Sequence, residues 1–151
     1  MDHYSERMSA EPTDLTIRAW TRLLRAHRAA LDRVEGALKA ANLPPLAWYD
    51  VLLELEREGG ALRPFALEQA LLLPQYGLSR LVARMEAAGL VARGPCPEDG
   101  RGQIVAITDA GRSVRRAMWP VYAGALEAAV GSRLRPEEAK TLADLLGRLV
   151  D

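Results

Sequence analysis

The hydrophobic pattern of this chain changes from helical to strand-like near its middle. Apolar residues in the stretch 74–88 recur at spacings of three and four, which predicts a helix, and Gly89 is a natural C-terminal stop. The segments 90–93 and 103–107 that follow are short and β-compatible, and the loop between them is dense in glycine, proline and charge. Two strands around such a loop predict a β-hairpin. The chain is therefore expected to be mainly α, with one small hairpin.

Two short helices precede this transition, and longer helices lie at both ends of the chain. The short helices are predicted from Pro45 to Gly59 and over 64–70, because prolines begin them and glycines close the first. The long helices are predicted over 13–42, 109–130 and 136–149. Their apolar stripes are larger than the middle block could cover. We therefore expect the end helices to pair with a second copy of the chain.

Composition restricts the class of protein. The 151 residues are half apolar, and 20 basic side chains balance 20 acidic ones. A nucleic-acid binder usually carries a basic excess, so any such function requires the cations to be segregated on one face. The single cysteine, Cys96, excludes an intrachain disulfide. No signal peptide or membrane-spanning run is recognisable, so a soluble, cytoplasmic protein is expected.

Helix, short turn, helix and then hairpin is the order of a winged helix-turn-helix. In that fold a helix enters the major groove of DNA and the hairpin, or wing, reaches the neighbouring minor groove. The helix predicted from Pro74 carries polar side chains that suit bases and phosphates on roughly one outward face. These residues are Gln75, Tyr76, Ser79, Arg80 and Arg84. The same pattern also fits the exposed polar face of an ordinary soluble helix.

Three segments together resemble the MarR family of bacterial regulators. They are LSRLVARMEAAGLVAR at 78–93, PEDGR at 97–101 and ITDAGR at 107–112. Ile107 replaces a leucine of the family pattern, and the Gly-Arg-Gly wing tip is more flexible than usual. The resemblance implies that Arg101 enters the minor groove and that Asp99 holds this arginine in place. An alternative is that Asp99 and Gly100 merely make a turn.

The resemblance also implies a domain organisation and an assembly. Residues 1–12 are expected to form a flexible tail, 13–44 and 109–151 a helical dimerisation region, and 45–108 the winged helix-turn-helix. The implied function is a transcriptional regulator, a repressor, that binds a palindromic operator in double-stranded DNA as a homodimer. The half-sites would lie about one helical turn, 10–10.5 bp, apart.

Many relatives release DNA when a small anionic or aromatic effector binds between the dimer core and the DNA-binding block. Aromatic side chains with a polar tip suit such ligands. The residues of this chain that could line the pocket are Trp20, His27, Trp48, Tyr49, Trp119 and Tyr122. Ordinary core packing is the alternative. Cys96, between two prolines of the wing, is expected to be exposed, and a redox role for it is left open.

Two other function classes are alternatives to a DNA-binding regulator. An enzyme would need a catalytic cluster, and the sequence contains no phosphate loop, metal-ligand spacing or nucleophile motif, so no enzymatic activity, cofactor or metal is expected. A protein–protein adaptor that keeps the winged fold without binding DNA is the second alternative. Neutral net charge favours the adaptor, whereas Arg80, Arg84 and Arg101 disfavour it.

Overall fold

A computed structural model of the chain describes residues 10–98 and 100–150. Long helices flank a block of short helices and strands, in the order predicted from the sequence. The elements are α1 (Asp14–Ala40), α2 (Leu46–Arg57), β1 (Ala61–Leu62), α3 (Pro64–Ala70), α4 (Leu78–Ala87), β2 (Val91–Pro95), β3 (Gln103–Ile107), α5 (Asp109–Ala129), a 3-10 turn (Gly131–Arg133) and α6 (Pro136–Val150). No helix in these two described ranges is both long and apolar enough to cross a membrane.

Local capping explains where two of the long helices begin. The hydroxyl of Thr13 accepts a hydrogen bond from the backbone N–H of Thr16 at 3.2 Å. The hydroxyl of Thr108 accepts one from the N–H of Gly111 at 3.0 Å and donates to the carbonyl of Gly89. Both threonines satisfy N–H groups that have no partner inside the helix. The Thr108 contact also joins the start of α5 to the end of α4.

The three strands form one antiparallel sheet in the order β1-β3-β2. The β2–β3 hairpin is the predicted wing, with Ala92 opposite Ala106 and Pro95 opposite Gln103. The short β1 pairs with the other edge of β3, with Ala61 opposite Ala106. A mainly helical chain with this sheet confirms the predicted winged helix-turn-helix.

Two apolar clusters hold the fold together. The first joins α2, α3, α4 and the sheet, and its fully buried members are Val51, Leu52, Leu55, Leu67, Met85, Val91 and Val105. The second joins α1, α2 and α5 around Leu38 and Met118. Because α2 contributes to both clusters, it ties the winged block to the long helices.

The predicted start of the fourth helix, Pro74, is wrong. Helix α4 begins at Leu78, and Gly77 before it adopts a left-handed conformation with φ of 83°. A residue with positive φ cannot belong to a right-handed helix, so residues 74–77 form a turn instead. Gln75 and Tyr76 therefore lie in the turn that leads into α4 and not on the helix itself.

Candidate nucleic-acid interface and adjoining cavity

Helix α4 has one face in the core and one face in solvent. Leu81, Val82 and Met85 are buried, which fixes the rotation of the helix about its axis. Three of the polar residues predicted to contact DNA are exposed on the helix: Ser79, Arg80 and Arg84. In the preceding turn Tyr76 is fully exposed, whereas Gln75 is half-buried.

The N-terminus of α4 is available for a phosphate. Gly77 carries no side chain that could cap it, and none of the described side chains does so from elsewhere. The N–H groups of the first turn of a helix point along its axis and favour an anion. Ser79 and Arg80 lie in the same turn and can add a hydroxyl and a guanidinium to such a contact.

An ion pair fastens the far end of α4 to the wing. The carboxylate of Glu86 accepts hydrogen bonds from the backbone N–H of Arg93 at 2.9 Å and from its guanidinium Nη2 at 3.0 Å. These bonds, the backbone one foremost, lower the pKa of the exposed Glu86 carboxyl. Because Glu86 is on α4 and Arg93 on β2, the pair links the helix to the hairpin.

The prediction that Cys96 is exposed is wrong. Cys96 retains 5% of its accessible surface. Its backbone N–H donates to the carbonyl of Gly102, and its carbonyl accepts from Gly100, so the wing folds back over it. The guanidinium of Arg63 also donates to its sulfur, with Nη2 3.2 Å from Sγ. Arg63, the residue before α3, thus contacts the base of the wing.

Of the two residues predicted to act in the wing, the structure describes one. Arg101 lies in the turn between β2 and β3 and is exposed. It has a partner of its own in the folded chain. Asp99, predicted to hold this arginine, lies outside the described residues. Its role remains a prediction from the sequence.

A groove of about 420 Å³ separates α4 from the wing. Residues from α3, α4 and both wing strands line it, among them Phe65, Glu68, Ser79, Arg93 and Gln103. Polar side chains share this lining with apolar ones such as Val82 and Val105, and Phe65 is 71% exposed. Phe65 was not predicted from the sequence as a site residue. The sequence offered one indication of its exposure. Phe65 lies in the first turn of α3, on a different face from Leu67, the buried residue of that helix.

A larger cavity, of about 750 Å³, lies between α2, α5 and the chain that connects α3 to α4. Three aromatic rings form part of its wall. Tyr49 is stacked on Trp119 at a ring-centroid distance of 6.3 Å, and Tyr122 meets both rings edge to face, at 5.1 Å and 5.6 Å. The structure brings together these three of the six residues predicted for an effector pocket.

The other three predicted pocket residues lie elsewhere. Trp20 and His27 are exposed on α1, and Trp48 packs against the first apolar cluster. None of the three lines the 750 Å³ cavity. The sequence correctly places aromatic residues on α2, which lines the cavity. It does not give the rotation of α2 about its axis, which directs Tyr49 into the cavity and its neighbour Trp48 away from it.

Charged groups also reach this cavity. Nε of Arg115 lies 2.7 Å from Oε2 of Glu56, an ion pair without the alignment of a hydrogen bond. Burial lowers the pKa of Arg115, but Glu56 and Tyr49 outweigh it, so the pKa of this guanidinium is raised. Burial raises the pKa of the Tyr122 phenol, and the nearby Tyr49 and Asp50 add to the effect. The phenol therefore stays neutral and can donate a hydrogen bond at neutral pH.

Asp50 is a buried carboxylate in the wall of the cavity that was not predicted from the sequence. Its two oxygens accept hydrogen bonds from the backbone N–H groups of Leu72, at 3.1 Å, and Leu73, at 2.8 Å. These residues belong to the connection that leads into α4. The available signal was spacing: Asp50 shares a helical face with the apolar Leu46 and Leu53.

Comparison with known proteins identifies the family. The MarR family model matches residues 41–102. Sco3205, a MarR family transcriptional regulator from Streptomyces coelicolor with a crystal structure in complex with DNA, is 30% identical, and the match covers 93% of this chain and 92% of that chain with a TM-score of 0.83. This chain belongs to the MarR family of transcriptional regulators. The resemblance inferred from the three sequence segments is therefore confirmed.

Two further solved structures support the assignment to the MarR family. AbsC, another MarR family regulator from Streptomyces coelicolor, is 26% identical over 94% of this chain and 96% of that chain, with a TM-score of 0.83. BpsR from Bordetella bronchiseptica, whose DNA binding is regulated by 6-hydroxynicotinic acid, is 25% identical over 89% of this chain and 99% of that chain, with a TM-score of 0.75. No curated protein matches the sequence.

Membership of the MarR family agrees with the exposed polar side chains of α4 and the wing. Regulators of this family have been solved in complex with DNA. Within the described part of the chain, no group of three or more histidine, cysteine, aspartate or glutamate side chains could hold a metal ion. The exposed polar groups of α4 and the wing are the features that match the activity of the family.

Proposed function

We propose that this protein represses transcription by binding a palindromic operator in double-stranded DNA as a homodimer, and that a small effector releases it. The observation that carries the proposal is the exposure of Ser79, Arg80 and Arg84 on α4 beside a wing that displays Arg101. A neutral chain can bind DNA when its cations are gathered on the face that meets the phosphates. Sco3205, with the same fold and 30% identity, has been solved bound to DNA.

The unsatisfied apolar surface of the end helices supports a homodimer. Helix α6 has no buried residue, although Leu142, Leu145, Leu149 and Val150 all lie on it. Trp20 is 60% exposed on α1, and Leu15, Ile17 and Leu24 are exposed beside it. An apolar surface of this extent is covered by a partner in most soluble proteins. A two-fold dimer would set two α4 helices against one side of the duplex.

Salt-dependent DNA binding tests the proposal. A labelled duplex from the DNA that flanks the protein's own gene is titrated by fluorescence anisotropy between 50 and 200 mM salt. Affinity should fall roughly 10³-fold over this range if about six phosphates are neutralised, because each contact releases condensed counterions. Light scattering should give the mass of two chains. Weak binding at every salt concentration would instead favour the protein–protein adaptor.

Removal of the wing arginine should weaken DNA binding without unfolding the protein. For Arg101→Ala we expect a loss of about tenfold to a hundredfold in affinity, the usual range for one arginine that contacts a base. Arg135→Ala is the matched control, since Arg135 is an exposed arginine that pairs with Glu137 and Glu138 at the start of α6. Equal affinity of the two variants in the anisotropy assay would contradict a wing contact.

The cavity supports release by a small aromatic anion. Tyr49, Trp119 and Tyr122 offer flat apolar surface. The wall also holds two guanidinium groups, of Arg57 and Arg115, which can turn from their carboxylate partners Glu54 and Glu56 to an anionic ligand. 6-Hydroxynicotinic acid, the compound that regulates BpsR, is a suitable first probe. We expect it to displace the labelled duplex and Trp119→Ala to need at least about tenfold more of it, as expected for loss of an aromatic contact of roughly 1.5 kcal/mol. Acetate controls for the added salt, and displacement by both acids alike would contradict the effector site.

A further inference from the structure

The exposed phenylalanine beside α4 points to a base contact that nothing above assigns. We propose that Phe65 contacts the 5-methyl group of a thymine in the major groove and so selects thymine at one position of each half-site. This inference rests on the proposed DNA binding and adds a sequence-determining residue to it. Phe65 is the single phenylalanine of the chain, and 71% of this large apolar residue is exposed to solvent.

The position of Phe65 relative to α4 supports a contact with DNA. Phe65 lines the same groove as Gln75 and Ser79, which precede and begin α4, and as Arg93 and Gln103 from the wing strands. A duplex that lies against α4 and the wing covers this groove. Among the residues that line this groove, Phe65 carries the one aromatic ring, and its exposed surface leaves water when DNA binds.

The chemistry of the major groove identifies the partner atom. Of the four bases only thymine presents an apolar group there, its 5-methyl, and phenylalanine is among the residues that contact it. The polar residues around Phe65 can bond to phosphates or base edges, but the ring can neither donate nor accept an ordinary hydrogen bond. A contact with sugar alone would use the same apolar surface without selecting a base, so base selection distinguishes the two.

Parallel selection from random duplexes tests the assignment. Wild-type protein, Phe65→Ala and Phe65→Leu are each used to select from a duplex library of about 20 base pairs, long enough for two half-sites one turn apart. We expect a thymine at one position of each half-site for the wild type and the leucine variant, and any base at that position for the alanine variant. The other preferred positions should be unchanged.

Removal of the methyl group from the DNA gives the second measurement. Replacing the selected thymine by deoxyuracil should weaken the wild type by about fourfold per half-site, the factor expected for one buried methyl group. Phe65→Ala should lose less than about 1.5-fold, because it has no methyl contact to lose. Thermal unfolding checks that Phe65→Ala remains folded, as expected for an exposed side chain.

The outcomes separate this inference from the proposed function. Identical selected sequences for the wild type and Phe65→Ala, or equal sensitivity to deoxyuracil, would overturn the thymine contact while DNA binding stands. Binding that weakens without any change in selected sequence would assign Phe65 to the sugar and also overturn it. Failure of the wild type to select any sequence would overturn both proposals together.

Discussion

Gly111→Ala is expected to destabilise the protein by about 3 kcal/mol or more, because a methyl group there has no space. A Cβ at this position would collide with the carbonyl oxygen of Leu90 and lie 2.9 Å from Cγ1 of Ile107. The backbone of Leu90 cannot retreat easily. Its carbonyl accepts from the N–H of Thr108 at 3.1 Å, and its own N–H donates to the carbonyl of Met85 at 3.0 Å.

Thermal unfolding measures this effect at a fixed protein concentration, since the stability of the proposed dimer would depend on concentration. A loss of 3 kcal/mol corresponds to roughly 6–12 °C in Tm for a chain of this size. The matched control is Gly36→Ala, on the exposed face of α1, where a Cβ would meet nothing within 4 Å. That variant should gain up to about 1 kcal/mol from helix propensity. Similar Tm values for the two variants would contradict the close packing of α5 on the end of α4.

The order of elements could be predicted because its signals are local. Thr108 caps α5 with its own hydroxyl, so the residue type itself predicts the start of the helix. Gly89 follows α4 with φ of 78°, a conformation that glycine adopts readily. The hairpin follows from the change in hydrophobic period and from the glycines and prolines of its turn. Each of these signals acts within a few residues, so a single sequence is sufficient to detect it.

The start of α4 could not be predicted because a distant residue determines it. Pro74 suits the first turn of a helix, and local rules therefore favour a start there. In the folded chain the carboxylate of Asp50, more than twenty residues earlier, takes the N–H groups of Leu72 and Leu73. The connection is thereby held in a turn, and Gly77 provides the left-handed residue after which α4 begins.

The burial of Cys96 and the residues of the cavity wall could not be predicted for a related reason. Two flanking prolines indicated an exposed loop, but Arg63, from before α3, lies across the cysteine sulfur. Likewise the aromatic content of α2 and α5 was visible in the sequence, yet the packing of α2 on α5 decides that Tyr49 and not Trp48 faces the cavity. Side-chain contacts between elements distant in sequence leave no periodic trace in either one.

Asp50→Asn should cost about 2–3 kcal/mol of unfolding free energy, nearly as much as Asp50→Ala. Both carboxylate oxygens accept backbone N–H groups, Oδ1 from Leu72 and Oδ2 from Leu73. An asparagine can accept only one of these bonds, and its NH₂ group would then face the other N–H, donor against donor. Hydrogen bonds to a charged acceptor are worth roughly 1.5–3 kcal/mol each, and a donor left without a partner costs more than an absent one.

The control for this substitution is Asp144→Asn, because Asp144 is an exposed carboxylate on α6 whose partner is Lys140 at 2.7 Å. Its loss should stay within about 0.5 kcal/mol, as for most exposed ion pairs. Denaturant unfolding at equal protein concentration compares the variants. If Asp50→Asn proved as stable as Asp144→Asn, the two bonds to the α3–α4 connection would be unimportant for the fold.

The same pair of variants tests whether Asp50 links the cavity to DNA binding. Asp50 lines the cavity and holds the connection five residues before α4, so loosening it should misplace Ser79 and Arg80 relative to the duplex. We therefore expect Asp50→Asn to bind the labelled duplex more weakly than Asp144→Asn at a temperature where both are folded. The remaining binding should respond less to a ligand in the cavity, because the connection that would transmit the ligand's effect is already loose. Unchanged affinity together with an unchanged ligand response would mean that this carboxylate stabilises the fold without coupling the two sites.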